Sequence, residues 1–364
     1  MKKTLLVAAL AVGFTGAAHA AETSVTLYGL IDAGINYEQV KGANGFKQSH
    51  IGAANGVSGG SRFGMRGTED LGDGLKAIFT LEAGFNNETG TSSQGGRLFG
   101  RQATVGLASN SWGQLDFGRQ TNISSKYFGS IDPFGAGFAQ ANIGMALSAA
   151  NTVRYDNMVL YQTPSFGGFQ MGVGYSFARD GSGNFETADN VRALTAGVRY
   201  ANGPLNIALT FDQLKQVHAL DEEATPRMYA VGASYDFEVV KLALAFARTE
   251  DGWFGGQGPG VADSSAFNLP SYQFADGFRA NSYMAGLTAP IGGATSLFGS
   301  WQMIDPKNDL LTGGDETNNI FSVGATYDLS KRTNLYAYGS YSKNALFFED
   351  AKSTSVGVGL QHRF

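Results

Sequence analysis

Alternation of apolar and polar residues recurs along this chain, and no other feature constrains its fold as strongly. In LKAIFTLEAGFN, residues 75–86, every second residue is apolar, and the residues between them include Lys76, Thr80 and Glu82. Residues 205–212, LNIALTFD, repeat the pattern. A period of two residues is that of a β-strand with one apolar face, and such segments approach the roughly 9 to 11 residues that cross a bilayer as a tilted strand. The chain is therefore predicted to be all-β.

The composition agrees with interleaving rather than with apolar runs. The 364 residues include 51 Gly, 26 Phe and 15 Tyr, yet the mean hydropathy is −0.12. Many aromatic side chains without overall hydrophobicity require polar neighbours along the chain. No stretch of the sequence after residue 20 resembles a transmembrane helix.

Connections of two kinds alternate along the chain. Short turns are predicted near Gly72, Ser111, Gly167, Gly203, Glu238, Gly292 and Ser330. Long polar or Gly-rich connections are predicted near residues 37–60, 87–96, 120–150, 180–190, 215–226, 250–279, 305–318 and 344–353. Together they join about sixteen strands with both termini on the short-turn side, as in outer-membrane barrels. A soluble sandwich has no reason to place every long loop at one end, and the polar second face suits a water-filled lumen. One 16-stranded antiparallel transmembrane β-barrel accounts for residues 21–364.

Three segments around Tyr200, Tyr235 and Tyr327 share a pattern: small and apolar residues, the tyrosine, a short turn and a second alternating strand. They are predicted to be hairpins. Tyrosines at one height suggest an aromatic belt at a membrane interface. Ordinary cross-strand aromatic packing is the alternative.

The first twenty residues, MKKTLLVAALAVGFTGAAHA, have the layout of a secretory signal peptide cleaved after Ala20. The remainder has 24 basic and 31 acidic residues, since two of the 26 Lys and Arg precede the cleavage point, and its formal charge is 24 − 31 = −7. The chain has no Cys, which agrees with export. Nothing in this charge balance suggests nucleic acid as a partner.

Catalytic and metal-binding patterns are missing from the sequence. The histidines after residue 20 are His50, His218 and His362, too few and too scattered for a metal cluster. GVGYSFARDG, near residue 175, fails the spacing of a dinucleotide-binding loop. GVSGG at 56–60 matches G-x-S-x-G only in letters, because Ser58 sits in loop sequence with no evident base, and so it is not a nucleophile elbow. The sequence therefore predicts neither an enzyme nor a cofactor or metal site.

Arginines concentrate in the strands around one long connection. Arg62 lies in the predicted second strand, Arg101 in the fourth, Arg119 at the end of the fifth and Arg154 at the sixth. Simple alternation would aim Arg101 at lipid, because it shares parity with apolar neighbours, so alternation cannot decide its direction.

The connection that these arginines flank, residues 120–150, carries Asp132 as its one acid and is rich in Phe, Ala, Gly and Ile. It resembles a segment packed against protein more than a solvated loop. An external loop with a hydrophobic patch is one interpretation. The other is a loop that folds into the lumen and faces the arginines across a narrowed channel.

The sequence resembles the Gram-negative general diffusion porins, and most closely those of the neisserial and burkholderial, β-proteobacterial type. The matching segments are spread over nearly the whole chain: VTLYGLIDAGI at 25–35, SRFGMRGTEDLGDGLKA at 61–77, GRQATVGL at 100–107, FGRQ at 117–120, DPFG at 132–135, VRYDNMVLYQTPSFGGF at 153–169 and GLQHRF at the end.

The resemblance implies a homotrimer in the outer membrane, in contact with its lipid and lipopolysaccharide, with the third external loop folded into the pore. It implies that Arg62, Arg101 and Arg154 form the basic side of a constriction, with Arg119 as a neighbour and Asp132 and Phe134 on the loop opposite. It also implies that the outer-membrane assembly machinery reads the C-terminal Phe364. Many general porins carry more acids in that loop. This chain has only Asp132 there, and this departure argues against strong cation selectivity.

The function expected from these features is passive diffusion of small hydrophilic solutes and ions, with a mild anion preference because arginines outnumber acids at the constriction. A channel specific for an anionic nutrient, or a barrel whose outer loops act as an adhesin or receptor, are the alternatives. The last strand, TSVGVGLQHRF, lacks a returning arm and is predicted to pair with residues 23–37 and close the barrel.

Overall fold

The computed structural model describes residues 23–42, 45–215, 224–258, 267 and 269–364. The predicted signal peptide lies outside the described residues. The strands, in chain order, are β1 (Ser24–Lys41), β2 (Lys47–Asn55), β3 (Arg62–Gly72), β4 (Leu75–Gly84), β5 (Gln102–Ser109), β6 (Gly113–Thr121), β7 (Arg154–Gln162), β8 (Phe169–Ser176), β9 (Arg192–Asn202), β10 (Leu205–Lys215), β11 (Arg227–Asp236), β12 (Lys241–Trp253), β13 (Gln273–Ile291), β14 (Thr295–Pro306), β15 (Asn318–Asp328), β16 (Thr333–Lys343) and β17 (Lys352–Arg363).

Among the described residues, helical structure is confined to the connections. A single turn, α1, spans Ser93–Gly96, and the helix α2 spans Ile123–Phe128. Short 3-10 turns occur at Ala139–Ala141, Ile143–Met145, Ser148–Ala150, Thr187–Asp189 and Ala345–Phe347. No helix among the described residues is long and apolar enough to cross a membrane.

The strands form one closed antiparallel sheet, which confirms the predicted 16-stranded barrel. From β3 to β17 each strand pairs with its neighbour in sequence, and β1 pairs with β17 from Leu30 opposite Arg363 to Lys41 opposite Lys352. The other edge of β1 pairs with β3 over Ser24–Leu30 and with β2 over Ala33–Lys41. The segments β2 and β3 are thus two parts of the second wall strand.

The predicted first long connection, residues 37–60, is wrong in its bounds. β1 continues to Lys41, and β2 returns alongside it. This strand was not predicted because apolar and polar residues alternate poorly in KQSHIGAAN. Its backbone nevertheless pairs with β1 along its whole length. What remains of the connection among the described residues is a break in the second wall strand at residues 56–61.

The two faces of the wall differ as the alternation requires. Side chains that point outward are exposed and apolar, for example Val105, Leu244 and Val323. Tyr200, Tyr235 and Tyr327 lie within three residues of short turns, at the ends of hairpins. Tyr200 packs on Phe169 with ring centroids 4.7 Å apart, and Tyr235 packs on Phe237 at 4.5 Å, so the tyrosines also make ordinary aromatic contacts.

Candidate pore constriction

The connection between β6 and β7, residues 122–153, folds into the barrel, and its root is fixed by a buried carboxylate. Asp212 on β10 is fully buried and accepts a hydrogen bond from Asn122 Nδ2 at 2.7 Å and another from Ser124 Oγ. The backbone N–H of Ile123 donates to Thr195 Oγ1 on β9 at 2.9 Å. The start of α2 is therefore attached to the inner wall by hydrogen bonds between buried groups. Each of these polar groups has a protein partner, as is usual for polar groups that are shielded from water.

The second half of this loop fills part of the lumen with apolar side chains. Every residue of 140–150 is buried. Ile143 and Leu147 belong to one core with Trp253, Phe278 and Phe347, all fully buried. The loop therefore divides the barrel interior into a dry side, packed like a protein core, and a side that is open to solvent.

Asp132 does not face the channel as an opposing charge. Its carboxylate accepts backbone N–H groups from Phe134 at 3.0 Å, Ala136 at 2.9 Å and Ile143 at 3.0 Å, and the residue is only 6% exposed. Burial raises the pKa of Asp132 to about 6, and the three N–H donors oppose that rise. Its role in this structure is to fold the tip of the loop.

Phe134 anchors the loop tip to the opposite wall. Its ring packs on Phe138 at 5.6 Å and on Phe298 of β14 at 4.9 Å between centroids. Phe138 in turn packs on Tyr336 and Tyr338 of β16 at 5.5 and 5.6 Å. Aromatic contacts at such distances stabilise a packed cluster beyond area burial alone, so these rings hold the tip in one position.

The break in the second wall strand receives the loop tip. The N–H of Phe138 donates to the carbonyl oxygen of Val57 at 2.5 Å. A Cβ on Gly137 would lie 2.1 Å from the carbonyl oxygen of Ser58, so only glycine permits this approach. The break and the tip are therefore complementary.

Three of the predicted arginines come together beside this tip. Arg62, Arg101 and Arg154 line a cavity of about 620 Å³ together with Arg363 near the C-terminus, and the loop residues Pro133, Phe134, Gly135, Ala136 and Phe138 line it as well. Among the described residues, no Asp or Glu lines it.

The arginines differ in how they are held. Arg101 Nε donates to Glu82 Oε1 on β4 at 2.7 Å, and the second oxygen of Glu82 accepts from Tyr28 at 3.0 Å. Arg154 Nε and Nη1 donate to the carbonyl oxygens of Arg101 and Thr152, both at 3.1 Å. Since carbonyl partners carry no net charge, the positive charge of Arg154 is not neutralised by these contacts.

Arg101 points into the barrel, although simple alternation would have directed it toward lipid. It lies just before β5, which begins at Gln102, and its N–H donates to the carbonyl oxygen of Glu82 at 3.2 Å. The outward positions of β5 are Val105 and Leu107. Strand parity does not apply to a residue outside the strand, and the ion pair with Glu82 holds the guanidinium inside.

Arg119 lies apart from this group. Its Nη1 contacts Asp156 at 2.6 Å, and Arg97 contacts the same carboxylate at 2.7 Å. Arg97, Arg119 and Arg179 line a second cavity of about 530 Å³, which shares Arg154 with the first. Arg119 is therefore a neighbour of the constriction and not one of its lining residues, and Arg154 links the two groups.

Sequence reasoning missed Glu82 and Arg363 at the constriction, and Arg97, Asp156 and Arg179 in the neighbouring group around Arg119. Glu82 and Arg363 were on the polar faces of alternating segments, so the signal for a lumen position was present. Arg97 and Arg179 lie in connections, where no period indicates direction.

Comparison with known proteins is consistent across family, relatives and structures. A family model described as Gram-negative porin matches residues 6–345. An outer membrane porin of Bordetella pertussis is 65% identical over 100% of both chains, and outer membrane porin protein 32 of Delftia acidovorans is 35% identical, also over 100% of both. Among solved structures, the anion-selective porin from Comamonas acidovorans has a TM-score of 0.74 at 30% identity and covers 94% of this chain and 100% of its own.

Proposed function

Because the chain belongs to the Gram-negative porin family, it is an outer-membrane channel for passive diffusion, and we propose that Arg62, Arg101 and Arg154 make this channel mildly anion-preferring. The named relatives are channels, and we propose that this chain likewise transports without covalent chemistry.

The observation that carries the proposal is the charge lining the first cavity. Four arginines line it, and no acid of the described residues does. Glu82 offsets Arg101, and the carboxylate of Asp132 is enclosed by backbone N–H groups. A narrow passage with excess positive charge raises the local concentration of anions and lowers that of cations. The anion selectivity stated for the Comamonas porin supports the same sign.

The net charge of the chain points in the opposite direction but acts elsewhere. Asp309, Asp315 and Glu316 lie in the connection between β14 and β15, and many of the other acids are in connections too. The Debye length is about 8 Å at physiological salt, so charges in outer loops are screened from the constriction. Local charge therefore decides ion preference.

The test is the zero-current potential of reconstituted channels across a potassium chloride gradient. We expect the sign that corresponds to chloride preference, and a potential closer to zero in Arg62→Gln. Arg332→Gln, in an exposed short turn, removes the same charge far from the cavity and should leave the potential unchanged. Cation preference in the wild type would overturn the proposal.

Assembly as a homotrimer, contact with lipopolysaccharide and delivery by the outer-membrane assembly machinery are part of this proposal. Each protomer holds a complete barrel and its own constriction, so a trimer should conduct in three equal steps. Single-channel recording of the detergent-extracted protein measures this, and absence of conductance would contradict the transport function.

A further inference from the structure

The first cavity has two unlike faces. The barrel wall contributes the guanidinium groups of Arg62, Arg101, Arg154 and Arg363. The loop tip contributes Pro133, Gly135 and Ala136, which are partly or fully exposed, and the rings of Phe134 and Phe298 line the cavity beside them. A passage of this kind offers a solute positive charge on one side and an apolar surface on the other.

Two features of the backbone make the exposed surface of the tip apolar. The one acid nearby, Asp132, is turned into the loop by three backbone hydrogen bonds. Ala136 has φ of 58°, a left-handed conformation that Asn or Gly adopts with less strain than Ala. The chain therefore has an apolar side chain at a position whose backbone favours Gly or Asn.

We propose that the constriction favours small carboxylates that carry an apolar group over equally sized hydroxylated ones. The carboxylate would bind the guanidinium groups, whose donors match its geometry, while the hydrocarbon end lies on Pro133 and Ala136. A hydroxyl at that end would lose water on the side chains of Pro133 and Ala136, which offer it no hydrogen-bond partner. The proposal rests on the proposed function, because it requires arginines that attract anions.

The expected preference is modest because the solute stays mobile. Full burial of one methylene is worth a factor of about four, and contact on one side gives roughly half of that free energy, hence roughly a twofold preference. A channel needs binding this weak, since a tightly held solute would not leave.

The experiment compares pentanoate with 4-hydroxybutanoate, which have the same number of non-hydrogen atoms and the same charge. Each sodium salt is placed opposite sodium chloride across a bilayer that contains the reconstituted channel, and permeability relative to chloride is taken from the zero-current potential. We expect pentanoate to be roughly twofold more permeant in the wild type.

Ala136→Asn should bring the ratio of the two permeabilities close to one while leaving the preference for chloride over potassium intact. The matched control is Ala139→Asn: Ala139 is exposed on the same loop with φ of 49° but does not line the cavity, so its ratio should stay near that of the wild type. Resistance of the folded barrel to heating in dodecyl sulfate confirms that each variant is assembled. If Ala136→Asn does not assemble, Pro133→Ser replaces it.

The two proposals fail separately in this design. Equal permeabilities in an anion-preferring wild type would overturn the apolar-face inference and leave the proposed function standing. A wild type without chloride preference would overturn the proposed function, whatever the ratio of the two carboxylates. An unchanged twofold ratio in assembled Ala136→Asn would also overturn the inference.

Discussion

At the scale of single residues, the charge of the constriction depends on which groups are neutralised. Glu82 and Arg101 are in contact at 2.7 Å with side chains only 15% and 12% exposed, so the pair is shielded from solvent and from salt. Arg154 has backbone carbonyls as hydrogen-bond partners instead. The number of arginines at the constriction therefore overstates its net positive charge, because Glu82 neutralises Arg101.

Glu82→Gln should strengthen the anion preference. The substitution removes the charge that offsets Arg101 and keeps an amide oxygen that can still accept the bond from Tyr28. We expect the chloride-to-potassium permeability ratio to rise by roughly a factor of two, measured by zero-current potential. Glu238→Gln, in an exposed short turn, is the charge-matched control. A fall in anion preference in Glu82→Gln would show that Glu82 does not act through Arg101.

At the scale of elements, the constriction is made by two irregular segments that fit each other. The second wall strand is interrupted at residues 56–61, and the loop tip enters there through the bond from Phe138 to Val57. The root of the loop is fixed separately, by Asp212 and Thr195. Attachment at both ends explains how a long connection can hold one position inside a water-filled barrel.

Gly137→Ala should displace the tip. The new Cβ would lie 2.1 Å from the carbonyl oxygen of Ser58, which is backbone and cannot rotate away. Overpacking of this kind costs about 1 to 3 kcal/mol, and the bond from Phe138 to Val57 would lengthen or break.

We expect a broader distribution of single-channel conductances and a lower thermal midpoint for the Gly137→Ala barrel. Gly293→Ala, in a short turn where nothing lies within 4 Å of the new Cβ, is the control for the same added methyl group. A conductance distribution identical to that of the wild type would show that the tip is not seated in the break.

The sequence predicted regular elements well and local contacts poorly, for a physical reason. Alternation and the order of short and long connections are properties of neighbouring residues, so they predicted the wall strands. The inward loop was one of two interpretations of an apolar connection, and the resemblance to porins favoured it. The role of Asp132 depends on N–H groups up to eleven residues away, and the direction of Arg101 depends on Glu82 across the sheet. No periodicity within one segment contains such information, and β2 was missed for the same reason, since its register comes from β1.

At the scale of the whole molecule, closure of the barrel depends on the seam between the first and last strands. Asp32 of β1 is fully buried there and accepts hydrogen bonds from Tyr336 at 2.6 Å, Gln361 at 3.3 Å and the N–H of Gly59 at 2.8 Å. One carboxylate thus joins β1, β16, β17 and the break that seats the loop. The predicted pairing of the two terminal strands is confirmed, and the seam and the constriction share a support.

Phe364 completes this seam, and its loss should impair assembly more than transport. Its N–H and carbonyl oxygen pair with Gly29 at 3.1 Å each, and its ring lies on the outer surface over Gly29, where a Cβ would come within 2.2 Å of Cζ. Phe364→Ala keeps the backbone pairing and removes only the ring.

Because the ring is 44% exposed on the outside of the barrel and does not line the first cavity, we expect a several-fold lower yield of folded barrel in outer membranes but an unchanged conductance per channel. Leu360→Ala, an exposed apolar residue of the same strand, is the control for lost outer surface. A normal yield of folded barrel in Phe364→Ala would contradict a role as assembly signal. A changed conductance would show that the ring influences the pore.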